Sequence, residues 1–162
     1  MPDFDLRIEA SGGAFTPQGT TLFVFVTLRI LNRGFPSIAW EFGGTAIVGG
    51  VRREAPLHYL KDDTTMQFDD GTKFVLQARD AIYEKGLTRI DTGVLIRGWL
   101  VLEIPGFTKP EEFFVHGNSL EVTCKDYLGK VYVDSQELTG KGARRIDRYF
   151  PGSGGEIVPP CA

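Results

Sequence analysis

Strict alternation of apolar and polar residues is the feature that most limits what this chain can fold into. From Phe4 to Ala10, apolar side chains occupy every second position, and Asp5, Arg7 and Glu9 fall between them. Thr21 to Asn32 extends the pattern over a longer run, with one wholly apolar face. A side-chain period of two predicts strands with at least one buried face.

Further strand candidates follow, separated by Gly, Asn, Asp and Pro turns, at residues 38–42, 45–48, 73–79, 92–104, 119–124 and 130–133. Residues 80–89 could form a helical turn, although Gly86 and the β-branched residues there favour a loop, and only 137–145 suggests a longer helix. With seven to nine mainly antiparallel strands and no crossover helices, the apolar faces can be buried only in a sandwich or a barrel. The long connections 51–72 and 80–91 favour an all-β Greek-key sandwich.

The length of 162 residues predicts one domain. A hydrophobic content of 42% is enough for a core that needs neither disulfides nor metal. We expect the sandwich to occupy residues 1–150 and a flexible Gly/Pro-rich tail to occupy residues 151–162.

The charge balance is mildly acidic, with a formal net charge of −3 and a pI near 5.4. Such a chain has no general attraction to nucleic acid, and it contains no apolar run long enough for a membrane helix. The first residues do not resemble a secretory signal. We therefore expect a cytoplasmic location, or an extracytoplasmic one if the chain begins after a removed signal or anchor.

Histidine and cysteine are scarce. His58 and His116 have no second ligand at metal-binding spacing, and Cys124 and Cys161 do not form a CxxC pair. We expect no cofactor, no metal site and no catalytic residues. A hydrolase would require one histidine to lie in a cleft beside a carboxylate or a nucleophile.

Three aromatic residues are candidates for binding a partner or a small ligand: Trp40, Tyr59 and Trp99. A second candidate is the basic cluster Lys141, Arg144, Arg145 and Arg148, which lies beside two aromatic residues. This cluster could hold an anion or an acidic partner, and the alternative is a solvated strand or turn.

One set of motifs occurs in a characteristic order. It consists of the turn Asn32-Arg-Gly-Phe-Pro36, Trp40 on the next strand, Gly93 to Gly98 leading into Trp99-Leu-Val-Leu, and the run Leu120 to Tyr132. Over residues 4–134 this order resembles immunoglobulin-like modules of uncharacterised bacterial and phage proteins. The resemblance implies a Greek-key sandwich with structural turns and a tryptophan in the core. The strand before Trp40 has no cysteine to pair with Cys124, so the antibody-type disulfide is absent.

These observations favour a non-enzymatic binding or assembly module. It would engage a protein partner, or copies of itself, through a sheet face or loops. The alternative is a β-sandwich that binds carbohydrate or another small ligand, and a hydrolase ranks third.

Overall fold

The computed structural model describes residues 1–15, 21–68, 70–107, 109–138 and 146–151, which form ten strands in three antiparallel sheets. The strands are β1 (Phe4–Phe15), β2 (Thr21–Asn32), β3 (Trp40–Val48), β4 (Val51–Glu54), β5 (Thr64–Phe68), β6 (Lys73–Leu76), β7 (Leu95–Pro105), β8 (Ser119–Lys125), β9 (Val131–Glu137) and β10 (Ile146–Pro151). Two short helices, α1 (Ile82–Lys85) and α2 (Pro110–Phe113), and a 3-10 turn over Ala78–Asp80 complete the described chain. The all-β, antiparallel prediction is confirmed, whereas the count of seven to nine strands is not.

The main core lies between two sheets. Strands β1-β2-β7 form a three-stranded sheet, and β4-β3-β8-β9 form a four-stranded sheet. The apolar stripe of β2 is fully buried from Leu22 to Ile30, and it belongs to the same cluster as Leu120, Val122 and Cys124 of β8. The alternation in the sequence therefore identified the faces that are buried between these two sheets.

A third sheet, β10-β5-β6, covers part of the other face of the three-stranded sheet. Met66 and Leu76 pack there with Trp99 and Val101 in a second core. The segments interpreted as long connections therefore contain structure: β4 and β5 lie within 51–72, and α1 lies within 80–91. Strand β5 shows no alternation because Thr64, Thr65 and Met66 are all buried.

Strand β3 differs from the sequence prediction, which divided it at Gly43-Gly44 into two strands. The structure has one continuous strand from Trp40 to Val48 with a bulge between Trp40 and Gly43. Gly44 faces the core, where an added Cβ would lie 2.7 Å from two methyl carbons of Leu102. The glycine therefore permits close packing of the two main sheets instead of ending the strand.

Buried polar side chains hold the turns that the sequence predicted. Asn32 donates from Nδ2 to the carbonyl oxygens of Phe35 and Ile90, both at 2.9 Å. Asp126 accepts through Oδ1 from the N–H groups of Leu128 and Lys130, at 2.8 and 3.1 Å. These bonds satisfy backbone groups that no strand pairs, and they fix the loops at one end of the sandwich.

The predicted helix over 137–145 lies largely outside the described residues, and Glu137 itself is the last residue of β9. Residues 152–162 of the predicted tail are also outside the described part, and residue 151 belongs to β10. Among the described helices, none is long and apolar enough to cross a membrane.

Candidate functional site

Trp40 lies on the outer face of the four-stranded sheet and is 38% exposed. In the sheet register it is opposite Lys125, which is opposite Val131. Its indole Nε1 donates a 2.8 Å hydrogen bond to the carbonyl oxygen of Asp126. This bond fixes the ring against the loop that joins β8 to β9.

The bulge in β3 explains this position. Phe42 is buried, so uninterrupted alternation would turn Trp40 toward the core with it. Between Trp40 and Gly43, however, β3 advances three residues while β8 advances two, from Lys125 to Thr123. The extra residue turns Trp40 outward, so the expectation of a core tryptophan is wrong at this position and holds instead for Trp99.

Four other exposed apolar side chains lie on β9 and in the loop that joins β8 to β9, and we call the five together the Trp40 patch: Trp40, Tyr127, Leu128, Val131 and Val133. Each of the other four is a little over half exposed. Soluble proteins rarely expose large apolar patches, and the patches that they do expose are often functional.

Opposite charges lie within this surface. The Lys125 ammonium pairs with the Glu41 carboxylate, and both side chains are more than one-third exposed. Glu41 has a φ of 47° and lies in the bulge. A left-handed conformation costs a non-glycine residue roughly 1–2 kcal/mol. Backbone strain of this kind is concentrated at functional sites.

The structure does not bring the three predicted aromatic residues together. Tyr59 is 59% exposed, and its ring lies 5.0 Å from Tyr83, which lies 6.1 Å from Trp99. Trp99 is only 6% exposed, in the second core, and Trp40 is on a different sheet. Tyr83, the link between Tyr59 and Trp99, was missed because its segment was interpreted as a loop. Ligand binding at these residues stays a prediction.

One histidine lies beside a carboxylate. His58 Nδ1 is 2.9 Å from Glu103 Oε1, and the His58 ring meets Phe23 edge-on at 4.6 Å. Both polar side chains are about one-third exposed. Within the described ranges no hydroxyl or thiol bonds to His58, and His116 is exposed. The pair orients an imidazole, but none of the described side chains is placed beside it as the nucleophile of a hydrolase.

The basic cluster is almost wholly outside the described residues. Lys141, Arg144 and Arg145 fall in the gap between 138 and 146. For Arg148 only the backbone position is described. It is opposite Gln67 in the pairing of β10 with β5. Its proposed interaction with an anion or an acidic partner stays a prediction.

The buried thiol of Cys124 is a structural group. Burial and the neighbouring Asp126 raise the pKa of Cys124 to about 12, so the reactive thiolate is disfavoured. Cys161 lies outside the described part of the chain. No three His, Cys, Asp or Glu side chains converge in a metal-binding group among the residues that the structure describes.

Comparison with known proteins gives no assignment: no family model matches the chain, and no curated protein matches its sequence. The functional proposal therefore depends on the geometry above. The Trp40 patch is the surface that best supports one.

Proposed function

We propose that this chain is a non-enzymatic assembly module that associates with a second copy of itself through the Trp40 patch. The observation that carries the proposal is the patch itself. Five apolar side chains remain exposed there on a sheet whose other face contributes to the main core. Water contact with such a surface is unfavourable, so covering it stabilises an assembled state.

The order of the strands supports an immunoglobulin-like architecture. The sheet order β1-β2-β7 matches the order A-B-E of that fold. The sheet order β4-β3-β8-β9 matches C′-C-F-G. Strands β5, β6 and β10 are then additions to the two-sheet framework. Immunoglobulin-like sandwiches commonly present a sheet face or loops to partners, but that association comes from the fold alone.

The composition of the patch suits the centre of an interface. Stable protein interfaces bury about 800 Å² on each partner, with an apolar centre and a polar rim. Lys125 and Glu41 supply polar groups within the patch.

The charges favour a second copy as the occupant. A two-fold interface places the same surface on both copies, so it needs groups of both signs. Glu41 and Lys125 are adjacent and exposed. In a two-fold dimer, Glu41 of one copy would lie near Lys125 of the other copy, and the reverse. The carbohydrate alternative has less support, because it requires solvent-facing aromatic rings side by side and Trp99 is buried.

The first experiment measures mass by sedimentation velocity and light scattering over a concentration series. We expect a dimer with a Kd of about 1–100 µM. Val131→Lys places a charge in the interface and should weaken dimerisation at least tenfold. Val51→Lys is the matched control, since Val51 is a similarly exposed valine on β4 at the opposite edge of the sheet. A monomer at all concentrations, or equal effects of the two variants, would refute the proposal.

Charge reversal gives a second test. Lys125→Glu leaves two acidic groups in the patch, and Glu41→Lys leaves two basic ones. Each variant alone should be monomeric through repulsion, whereas an equimolar mixture should form a heterodimer. Absence of that heterodimer while the wild-type protein dimerises would place the interface elsewhere.

A further inference from the structure

Three arginines lie in one row across the three-stranded sheet, on the face opposite the main core. Arg7 of β1 is directly opposite Arg29 of β2, and Arg29 is directly opposite Arg97 of β7. All three are exposed. Cβ atoms of directly opposed residues are about 4.5–5.5 Å apart, and like charges in such pairs are destabilising. In a protein with a net charge of −3, this concentration of cations requires an explanation.

Acidic side chains compensate only the two outer members of the row. Arg7 pairs through Nε with Asp5 at 2.8 Å, and Arg97 pairs through Nε with Glu9 at 2.7 Å. The central residue, Arg29, has no acidic partner among the residues that the structure describes. Its guanidinium is therefore a cation with several N–H donors between two other cations.

An open pocket of about 310 Å³ adjoins the row, and Arg97 belongs to both. Thr27 and Trp99 of the sheet line it on one side, and Asp80 and Lys85, from the segment around α1, line the other. Lys85 Nζ is 3.7 Å from Asp80 Oδ1, a loose pair in which both groups keep capacity for further hydrogen bonds. The volume is at the lower end of the range for small-molecule sites, about 300–1,000 Å³.

Trp99, which lines the pocket, carries an unusual buried donor. Its Nε1–H is buried and has no hydrogen-bond acceptor, the one side-chain atom in the described residues of which this is true. An unpaired buried donor is rare in native structures because it carries the full cost of desolvation. It occurs here in a residue that lines the pocket.

We propose that this region binds a small phosphorylated polyol, with the phosphate on Arg29 and Arg97 and the hydroxyl-bearing part in the pocket. Guanidinium groups match phosphate oxygens through paired N–H donors, and no carboxylate among the described residues pairs with Arg29. The free oxygens of Glu9 and Asp80 can accept hydrogen bonds from ligand hydroxyls. The site is on the opposite side of the sandwich from the Trp40 patch, so it does not depend on the proposed self-association.

Isothermal titration calorimetry tests the proposal with three probes: glucose 6-phosphate, inorganic phosphate and glucose. The buffer is kept at low ionic strength because salt screens exposed charges. Glucose 6-phosphate should bind more tightly than inorganic phosphate, and glucose should bind at least tenfold more weakly than either. No measurable binding of the two phosphate compounds at 1:1 stoichiometry would overturn the proposal.

Two variants separate the site from general charge effects. Arg29→Gln should weaken glucose 6-phosphate binding at least tenfold. Arg89→Gln, which removes the same charge from an exposed arginine in the segment between α1 and β7, should leave glucose 6-phosphate binding unchanged. Equal losses of affinity in both variants would mean that phosphate binding depends only on the net charge of the protein. Lys85→Gln should weaken glucose 6-phosphate more than inorganic phosphate, and equal effects would exclude the pocket from the site.

A measurement without ligand checks the folded state of the key variant. Because Arg29 is exposed and repelled by its neighbours, Arg29→Gln should raise Tm at low salt by roughly 1–3 °C. A fall in Tm would show that the arginine row stabilises the fold, which would overturn its assignment as a binding device.

Discussion

Replacement of Gly44 by alanine tests how closely the two main sheets pack. The new Cβ would lie 2.7 Å from both methyl carbons of Leu102 and 2.9 Å from the carbonyl oxygen of Ala55. Leu102 is fully buried and cannot turn toward solvent. The Ala55 segment cannot move freely either, because the Ala55 N–H bonds to the Gly44 carbonyl at 3.0 Å.

Two opposing effects set the size of the change. An inserted methyl group in a well-packed core costs about 1–3 kcal/mol. Alanine also lowers the entropy of the unfolded chain, which offsets about 0.4–1 kcal/mol of that cost. We therefore expect Gly44→Ala to lower the free energy of unfolding by about 1–2 kcal/mol, which for this chain length lowers Tm by about 2–8 °C.

Gly43→Ala is the matched control one residue away. Its Cβ would meet a single side-chain atom, Thr123 Oγ1, at 3.3 Å on the outer face of the sheet. We expect its stability to remain within about 0.5 kcal/mol of the wild type. Urea unfolding followed by far-UV circular dichroism, with an unchanged m-value, measures both variants. If Gly44→Ala is as stable as Gly43→Ala, the proposed packing of Leu102 against β3 is incorrect.

Three further predictions concern buried polar groups. Asn32→Ala should lower the free energy of unfolding in urea by about 1–3 kcal/mol, since it removes the Nδ2 donor from the Phe35 and Ile90 carbonyl oxygens, of which Ile90 keeps the Ser37 N–H at 3.1 Å; a loss below about 0.5 kcal/mol would contradict this role. Tyr132→Phe should cost a similar amount, because the hydroxyl lies 2.8 Å from buried Asp126 Oδ2; an unchanged urea midpoint would show that the bond contributes nothing. The Cys124 thiol should react with Ellman's reagent only on unfolding. Because burial raises its pKa from 9.0 to about 12, the unfolded chain ionises first, and stability should fall as pH rises from about 9 to about 12; Cys124→Ala should reduce that slope, and an unchanged slope would exclude the thiol as its source.

Much of the sandwich could be predicted because its strands bury one face and expose the other. In β2 and β8 every second side chain is fully buried, and the alternating residues record this directly. The turns at Asn32 and Asp126 could also be predicted from the sequence, because these two side chains form hydrogen bonds with backbone groups only a few residues away. Local hydrogen bonds and a period of two are properties of short stretches of chain.

The third sheet and the candidate sites could not be predicted in this way. Strand β5 is buried on both faces, so it has no alternation to detect. The three arginines are distant in sequence and meet only through the pairing of β1 with β2 and of β2 with β7. The Trp40 patch likewise depends on the pairing of the β8–β9 hairpin with β3.

The two tryptophans show where the division lies. Each occurs on an alternating strand, and the sequence by itself determined that each would lie on a sheet face. The tertiary structure decided which face is covered: a one-residue bulge turns Trp40 outward, and the third sheet buries Trp99. Alternation records the period of a strand, whereas burial depends on which other segments pack against that face, and that is a property of the whole chain.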